Sequence, residues 1–215
     1  MLEVVALGAG YGRAQVLFGV ALQASQGEVV ALLGRNGAGK STTLKTVMGL
    51  IRRTAGEVRF DGRRIDGLEP HEISRLGLGY VPEERRIFAD LTVAENLAVG
   101  RQPPRAETAG WSEDRLLALF PALASMLPRR AGTLSGGEQQ MLSIARTLAG
   151  NPRAILLDEP SEGLAPVVID QVARAILELK AAGVAVLLAE QSRAFARRVA
   201  DRSYTLEKGR IADGS

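Results

Sequence analysis

Residues 34–42 read Gly34-Arg35-Asn36-Gly37-Ala38-Gly39-Lys40-Ser41-Thr42, the pattern G-x-x-x-x-G-K-[ST]. Its flanks are what constrain the fold. The apolar run Val29-Val30-Ala31-Leu32-Leu33 enters it as a buried strand, and residues 40–50 leave it with a helix-compatible composition. Gly34, Gly37 and Gly39 permit backbone conformations that a Cβ would block. Successive N–H groups from Gly34 to Thr42, those of Asn36 and Ala38 included, can then turn inward as an anion nest at a helix N-terminus. Lys40 is placed to reach β- and γ-phosphates, and the Ser41 hydroxyl to ligate Mg²⁺. The expectation is a nucleoside triphosphate site.

With 215 residues, 46% of them hydrophobic, the chain can bury one sizeable core. It has no cysteine, which removes disulfides and thiolate metal sites from consideration. Residues 1–7 lack the basic start of a signal peptide, and no apolar run is long enough to cross a bilayer, so a soluble or peripheral protein is expected. The formal charge of +3 comes mostly from arginine; lysine occurs only at 40, 45, 180 and 208. The arginines (13, 35, 52, 53, 63, 64, 75, 85, 86 and others) are scattered, with acids between them. That pattern reads as a solvated surface rather than a nucleic-acid groove.

Along the chain, strands are expected at 2–7 and 16–24 around a Gly8–Gly12 turn that exposes Tyr11, and at 28–33. A hairpin is expected at Asp61-Gly62. These early strands predict a small antiparallel sheet. Pro70 opens a short helix, and 78–81 returns as a strand. From 91 to 149 no strand fits: Thr92 starts a capping box with Glu95, a polar linker covers 102–110, Leu116, Leu117, Leu119, Phe120 and Leu123 recur at helical spacing, and a long helix runs from 139 to 149. This predicts an inserted helical sub-domain at about 89–150, inside a core formed by about 1–88 and 151–215. Strands at 153–157, 184–188 and 203–207 then alternate with helices at 167–182 and 192–200, the pattern of a mostly parallel sheet covered on both faces. The class is α/β.

Two further motifs carry chemistry. Asp158 and Glu159 end an apolar strand, where a parallel sheet presents its ligand-binding edge. Asp158 is placed to hold Mg²⁺, and Glu159 to orient or deprotonate an attacking water. Upstream, Leu134-Ser135-Gly136-Gly137-Glu138-Gln139-Gln140 opens a helix, and Ser135 with the Gly136 and Gly137 N–H groups makes a second anion site. One nucleotide needs only one loop of each kind. The economical arrangement is a dimer in which residues 135–137 of one chain close on ATP held by the phosphate loop of another.

With these three motifs in order, the sequence resembles the ATP-binding subunits of ABC transporters over essentially its whole length. The resemblance is narrowest to the LivF type of the high-affinity branched-chain amino-acid importers, through residues 79–88, 91–97, 159–166 and Glu190-Gln191. It implies a P-loop NTPase fold of the ABC ATPase kind, with an N-terminal antiparallel β sub-domain and an inserted helical one. It also implies ATP and Mg²⁺ as ligands, and Tyr11 as the aromatic that stacks on adenine. Partners would be a second copy or a paralogous ATPase, permease subunits, and indirectly a substrate-binding protein. The place would be the cytoplasmic face of the inner membrane. Three departures stand out. Glu83 occupies the usual glutamine position and is expected to keep the metal role; Gln191 occupies the switch-histidine position; residues 161–164 lack the usual aspartate. The chain also stops at Ser215, where relatives continue with another helix, so a docking role of that tail is expected to be absent. The sequence thus reads as an ATP hydrolase with Glu159, Lys40 and Gln191 as catalytic residues, serving an importer for branched-chain or other amino acids. A urea or amide importer, a soluble non-transport ABC ATPase and a binding-only subunit are the alternatives.

Overall fold

Two sheets organise the chain, one built within residues 2–64 and the other joining residues 29–33 to strands from residue 78 onward. The computed structural model describes residues 1–104 and 110–212. β1 (Leu2–Tyr11) and β2 (Ala14–Ala24) form an antiparallel hairpin, and β3 (Val29–Leu33) departs into the core and feeds α1 (Lys40–Val47). β4 (Arg53–Phe60) returns to pair with β1 and turns through Asp61 and Gly62, with φ 50° and 74°, into β5 (Arg63–Arg64). α2 (Pro70–Leu76) and β6 (Leu78–Val81) follow. Next come α3 (Val93–Gly100), α4 (Glu113–Leu119), α5 (Pro121–Ala124), a 3₁₀ turn (Ala131–Thr133) and α6 (Gly136–Ala149), with no strand among the described residues of this stretch. The alternation then resumes with β7 (Ala154–Asp158), α7 (Pro166–Ala181), β8 (Ala185–Glu190), α8 (Arg193–Val199), β9 (Arg202–Glu207) and β10 (Arg210–Ile211).

The small sheet is antiparallel in the order β2-β1-β4-β5. The core sheet runs β10-β9-β3-β8-β7-β6, parallel except at β10. Because strand side chains alternate faces, the core strands contribute to two large cores, and Ala31 and Leu33 to a small third one with Ala196. Ile155, Leu157, Val186 and Leu188 pack against the helices α3 to α7, whereas Ala154, Leu156, Leu187, Val30 and Leu32 pack toward α1 and the antiparallel sheet. Strands buried on both faces explain why β3, β7 and β8 read as unbroken apolar runs.

Several boundaries differ from the sequence expectation. The hairpin turn is Gly12-Arg13, not the glycine run 8–12. β1 carries bulges along its length, and at Gly10 a Cβ would lie 2.1 Å from the Ala14 carbonyl oxygen, so the glycine lets the strands approach rather than ending one. The long helix begins at Gly136 instead of 139. Ser135 caps it and exchanges capping-box bonds with Glu138, which outweighs the poor helix propensity of two glycines. The apolar stretch 116–123 is two helices, broken where Pro121 removes an N–H after Phe120. The α1 helix ends at Val47, before Gly49 with φ 71°. Of the polar linker at 102–110, residues 105–109 lie outside the described residues.

Candidate functional site

Register decides where the site lies. Leu33 of β3 pairs with Glu190 of β8, Asp158 of β7 with Ala189, and Val81 of β6 with Leu157. Four chain segments therefore leave the same carboxyl edge of the sheet: the loop after Leu33, the turn after Val81 that carries Glu83, the Asp158-Glu159 step, and Glu190-Gln191. That edge is where open α/β sheets bind ligands.

The loop after β3 wraps into α1 with Gly39 at φ 110°, a conformation in which a Cβ would also meet Leu17 Cδ2 at 2.8 Å. Lys40 is buried and its ammonium donates to the carbonyl oxygens of Gly34 (2.8 Å) and Arg35 (3.1 Å), while ion-pairing with Glu159 Oε1 at 2.9 Å. Glu159 is itself buried, sits at φ 49°, and accepts the Gln191 N–H on its other oxygen at 3.1 Å. A non-glycine residue in the left-handed region is strained, and here it lies where the sheet edge meets the loop.

Behind the loop, Ser41 Oγ donates to Asp158 Oδ1 at 2.9 Å and the Tyr80 hydroxyl donates to Asp158 Oδ2 at 3.0 Å. Asp158 has no exposed surface. Burial raises its carboxyl above the ordinary aspartate value, against the lowering effect of the Ser41 and Tyr80 bonds. Burial also raises the Tyr80 phenol, reinforced by the Asp158 charge. Glu83 is raised by burial first and then by its acidic neighbours Glu162, Asp158, Glu84 and Glu159. Crowded acids of this kind favour a nearby cation.

One cleft of about 480 Å³ brings together Asn36, Gly37, Gly39, Lys40, Ser41, Thr42, Glu83 and Glu159, joined by Val16 and Glu162. Gly34, Ala38 and Gln191 instead line a larger cleft of about 800 Å³ on the other flank of the loop, with Asn36 and Gly37 common to both. Tyr11 stands at the tip of the β1–β2 hairpin, 54% exposed and not among the residues lining either cleft, although Val16 of the same hairpin is. Ser135, Gly136 and Gly137 lie apart from these clefts at the start of α6, with the Arg85 guanidinium packed on Gly136 and Val168 packed on Gly137. The chain does not bring residues 34–42 and 135–137 together within itself.

Two residues of this edge escaped the sequence reading. Glu190 is buried and accepts the Ser161 N–H at 3.1 Å and the Ser192 N–H at 3.2 Å, so it ties the segment after Glu159 to the segment after Gln191. Burial raises its carboxyl, opposed by those bonds. Tyr80 read only as a strand residue. No local signal reveals either role, since Tyr80 and Asp158 are 78 positions apart.

The donors fit a small hard cation: a hydroxyl and carboxylates, with no sulfur or imidazole. Among the described residues no three acidic, His or Cys side chains converge to hold a metal alone.

The ABC transporter family model matches residues 17–162. The chain belongs to the ABC transporter family. Within that family it is 46% identical to the high-affinity branched-chain amino acid transport ATP-binding protein BraG of Pseudomonas aeruginosa, over 94% of this chain and 86% of that protein. It is 38% identical to the probable branched-chain amino acid transport ATP-binding protein LivF of Archaeoglobus fulgidus, over 99% and 90%. It is 36% identical to the lipopolysaccharide export system ATP-binding protein LptB of Acidithiobacillus ferridurans, over 98% and 88%. Among solved structures, a dimeric ATP-binding cassette in a post-hydrolysis state, bound to ADP and Pi, superposes with TM-score 0.84 at 26% identity, covering 98% of this chain and 96% of that one. The fold is that of an ABC ATPase cassette. Among the described residues, no helix is long and apolar enough to cross a membrane.

Proposed function

We propose that this ABC family member is the ATP-hydrolysing subunit of an importer for branched-chain or other amino acids, working at the cytoplasmic face of the membrane. The observation that carries the chemistry is the single cleft holding Lys40, Ser41, Glu83 and Glu159, with Asp158 bonded behind Ser41. The 46% identity with BraG carries the cargo class.

In this reading the N–H groups of Gly34 to Thr42, including those of Asn36, Gly37, Ala38 and Gly39, cradle the phosphates. Ser41, Asp158 and Glu83 would hold Mg²⁺, which when bound offsets charge on the phosphate oxygens. Lys40 exchanges its carbonyl and carboxylate partners for phosphate oxygens. Glu159 is thereby released from its ion pair, stays aimed by the Gln191 N–H, and accepts a proton from water. The Gln191 side chain lines the neighbouring cleft and can donate a hydrogen bond but not titrate. Tyr11 stacks on the base from the hairpin tip. Ser135, Gly136 and Gly137 close the site from a second copy or a paralogous ATPase, because within one chain they face elsewhere.

Permease subunits would seat in a groove of about 550 Å³ beside this site, whose lining includes Leu50, Phe88 and Val99, exposed at 46%, 47% and 55%. Such apolar exposure on a domain surface marks an interaction site. The substrate-binding protein acts only through those permeases.

The experiment is Glu159→Gln. ATP hydrolysis should fall at least about a hundredfold while ATP still binds; hydrolysis at the parent rate removes Glu159 from the mechanism.

A further inference from the structure

Tyr80 belongs to none of the nucleotide motifs, yet its hydroxyl ends on the carboxylate read here as a metal holder. Asp158 has two side-chain donors, Ser41 on Oδ1 and Tyr80 on Oδ2, at 2.9 and 3.0 Å. They are not equivalent. Ser41 lines the phosphate cleft, so its oxygen is shared with whatever binds there, whereas Tyr80 is absent from that cleft's lining. The Tyr80 hydroxyl thus meets Asp158 outside the lining of that cleft. A carboxylate held at Oδ2 is restrained from turning, which keeps Oδ1 on the Ser41 hydroxyl that lines the cleft.

The strand register explains the reach. Tyr80 on β6 pairs with Leu156 on the adjacent β7, two residues short of Asp158. The ring is half-buried and forms part of the wall of the groove containing Leu50, Phe88 and Val99. A phenylalanine would fill the same wall and lack only the hydroxyl.

We propose that Tyr80 is a positioning residue for Asp158, holding Oδ2 so that Oδ1 presents to the cation beside Ser41. This rests on the reading of Asp158 and Ser41 as metal-holding. The test uses the full chain with ADP and Mn²⁺ as the spectroscopic stand-in for Mg²⁺, with Tyr80→Phe compared to the parent. The Mn²⁺ concentration that half-saturates the protein–ADP complex, followed by electron paramagnetic resonance, should rise about tenfold, the factor associated with losing one charge-assisted hydrogen bond. ADP affinity measured in EDTA should stay within about twofold, consistent with a hydroxyl that does not touch the nucleotide cleft. Unchanged Mn²⁺ saturation overturns the proposal. Equal weakening with and without metal, accompanied by a lower melting temperature, also overturns it, because that is the signature of a structural role. If the parent's own ADP complex binds no Mn²⁺ beyond what free ADP binds, the metal reading of Ser41 and Asp158 fails, and the Tyr80 role fails with it.

Discussion

Replacing Lys40 by methionine should destabilise the chain as well as weaken phosphate binding, because its ammonium is a structural partner of Glu159. The two side chains are 4% and 5% exposed and meet at 2.9 Å. At an effective dielectric of about 20, unit charges at that separation attract by roughly 6 kcal/mol. Removing one member of a buried pair typically costs about 3–5 kcal/mol, since the other charge is left without its partner. Glu159 keeps the Gln191 N–H, which places the Lys40→Met cost near the lower end, at about 3 kcal/mol. For a chain of this size each kcal/mol moves the melting temperature by roughly 2–4 °C. The nucleotide-free variant should then melt roughly 6–12 °C below the parent in a calorimetric scan. Adding Glu159→Gln removes the stranded charge and should recover about half of that loss, so the double-mutant cycle should give a coupling energy of at least about 1.5 kcal/mol, larger by whatever Glu159→Gln costs alone. A Lys40→Met melt indistinguishable from the parent, or strictly additive losses, would refute the argument.

Glu190→Ala strips two backbone N–H groups, of Ser161 and Ser192, of their acceptor; chemical denaturation should show a loss of about 2–4 kcal/mol, and hydrolysis should slow because Ser161 follows Glu159 by two residues and Ser192 follows Gln191 directly. Asp201 is held below the ordinary value of 3.8 first by its Lys180 hydrogen bond and then by the Val29 N–H. Its folded value lies below its unfolded one, so its stabilisation is complete above pH about 4 and fades as pH falls through the folded value. Asp201→Asn should therefore lower the melting temperature at pH 7, with the gap to the parent closing in strongly acidic buffer. Hydrolysis should show no imidazole-like step between pH 6 and 8, since Gln191 does not titrate and His71 lies exposed on α2; Gln191→His should introduce one.

What could be read in advance was what depends on neighbours in the chain. The strand, loop and helix around residues 34–42 were legible because strand, glycines, Lys40 and helix are contiguous, and the capping box at Thr92 is a four-residue pattern, whereas the same pattern at Ser135 was missed and the helix start set three residues late. The glycines of β1 misled, since a bulged strand closely approached by its partner needs small residues as much as a turn does. The Asp158-Tyr80 bond and the Glu190 clamp were illegible for a different reason. They join segments that meet only through the parallel register of β6, β7 and β8, and nothing local marks a tyrosine as a carboxylate's donor. The Lys40–Glu159 pair was hidden likewise, because each residue was assigned to an incoming ligand and neither to the other.

Completion of the ATP site by Ser135 to Gly137 of another chain is the decisive feature of the proposed mechanism. It is tested most directly by mixing two disabled chains, Lys40→Met and Ser135→Arg, in whichever pairing hydrolyses ATP, this chain with itself or with a paralogous ATPase subunit. In a mixed dimer one site joins an intact phosphate loop to an intact residue 135–137 segment, while the other site carries both lesions. The mixture should hydrolyse ATP well above the sum of its two parts. A mixture no more active than either disabled chain alone would contradict the composite site.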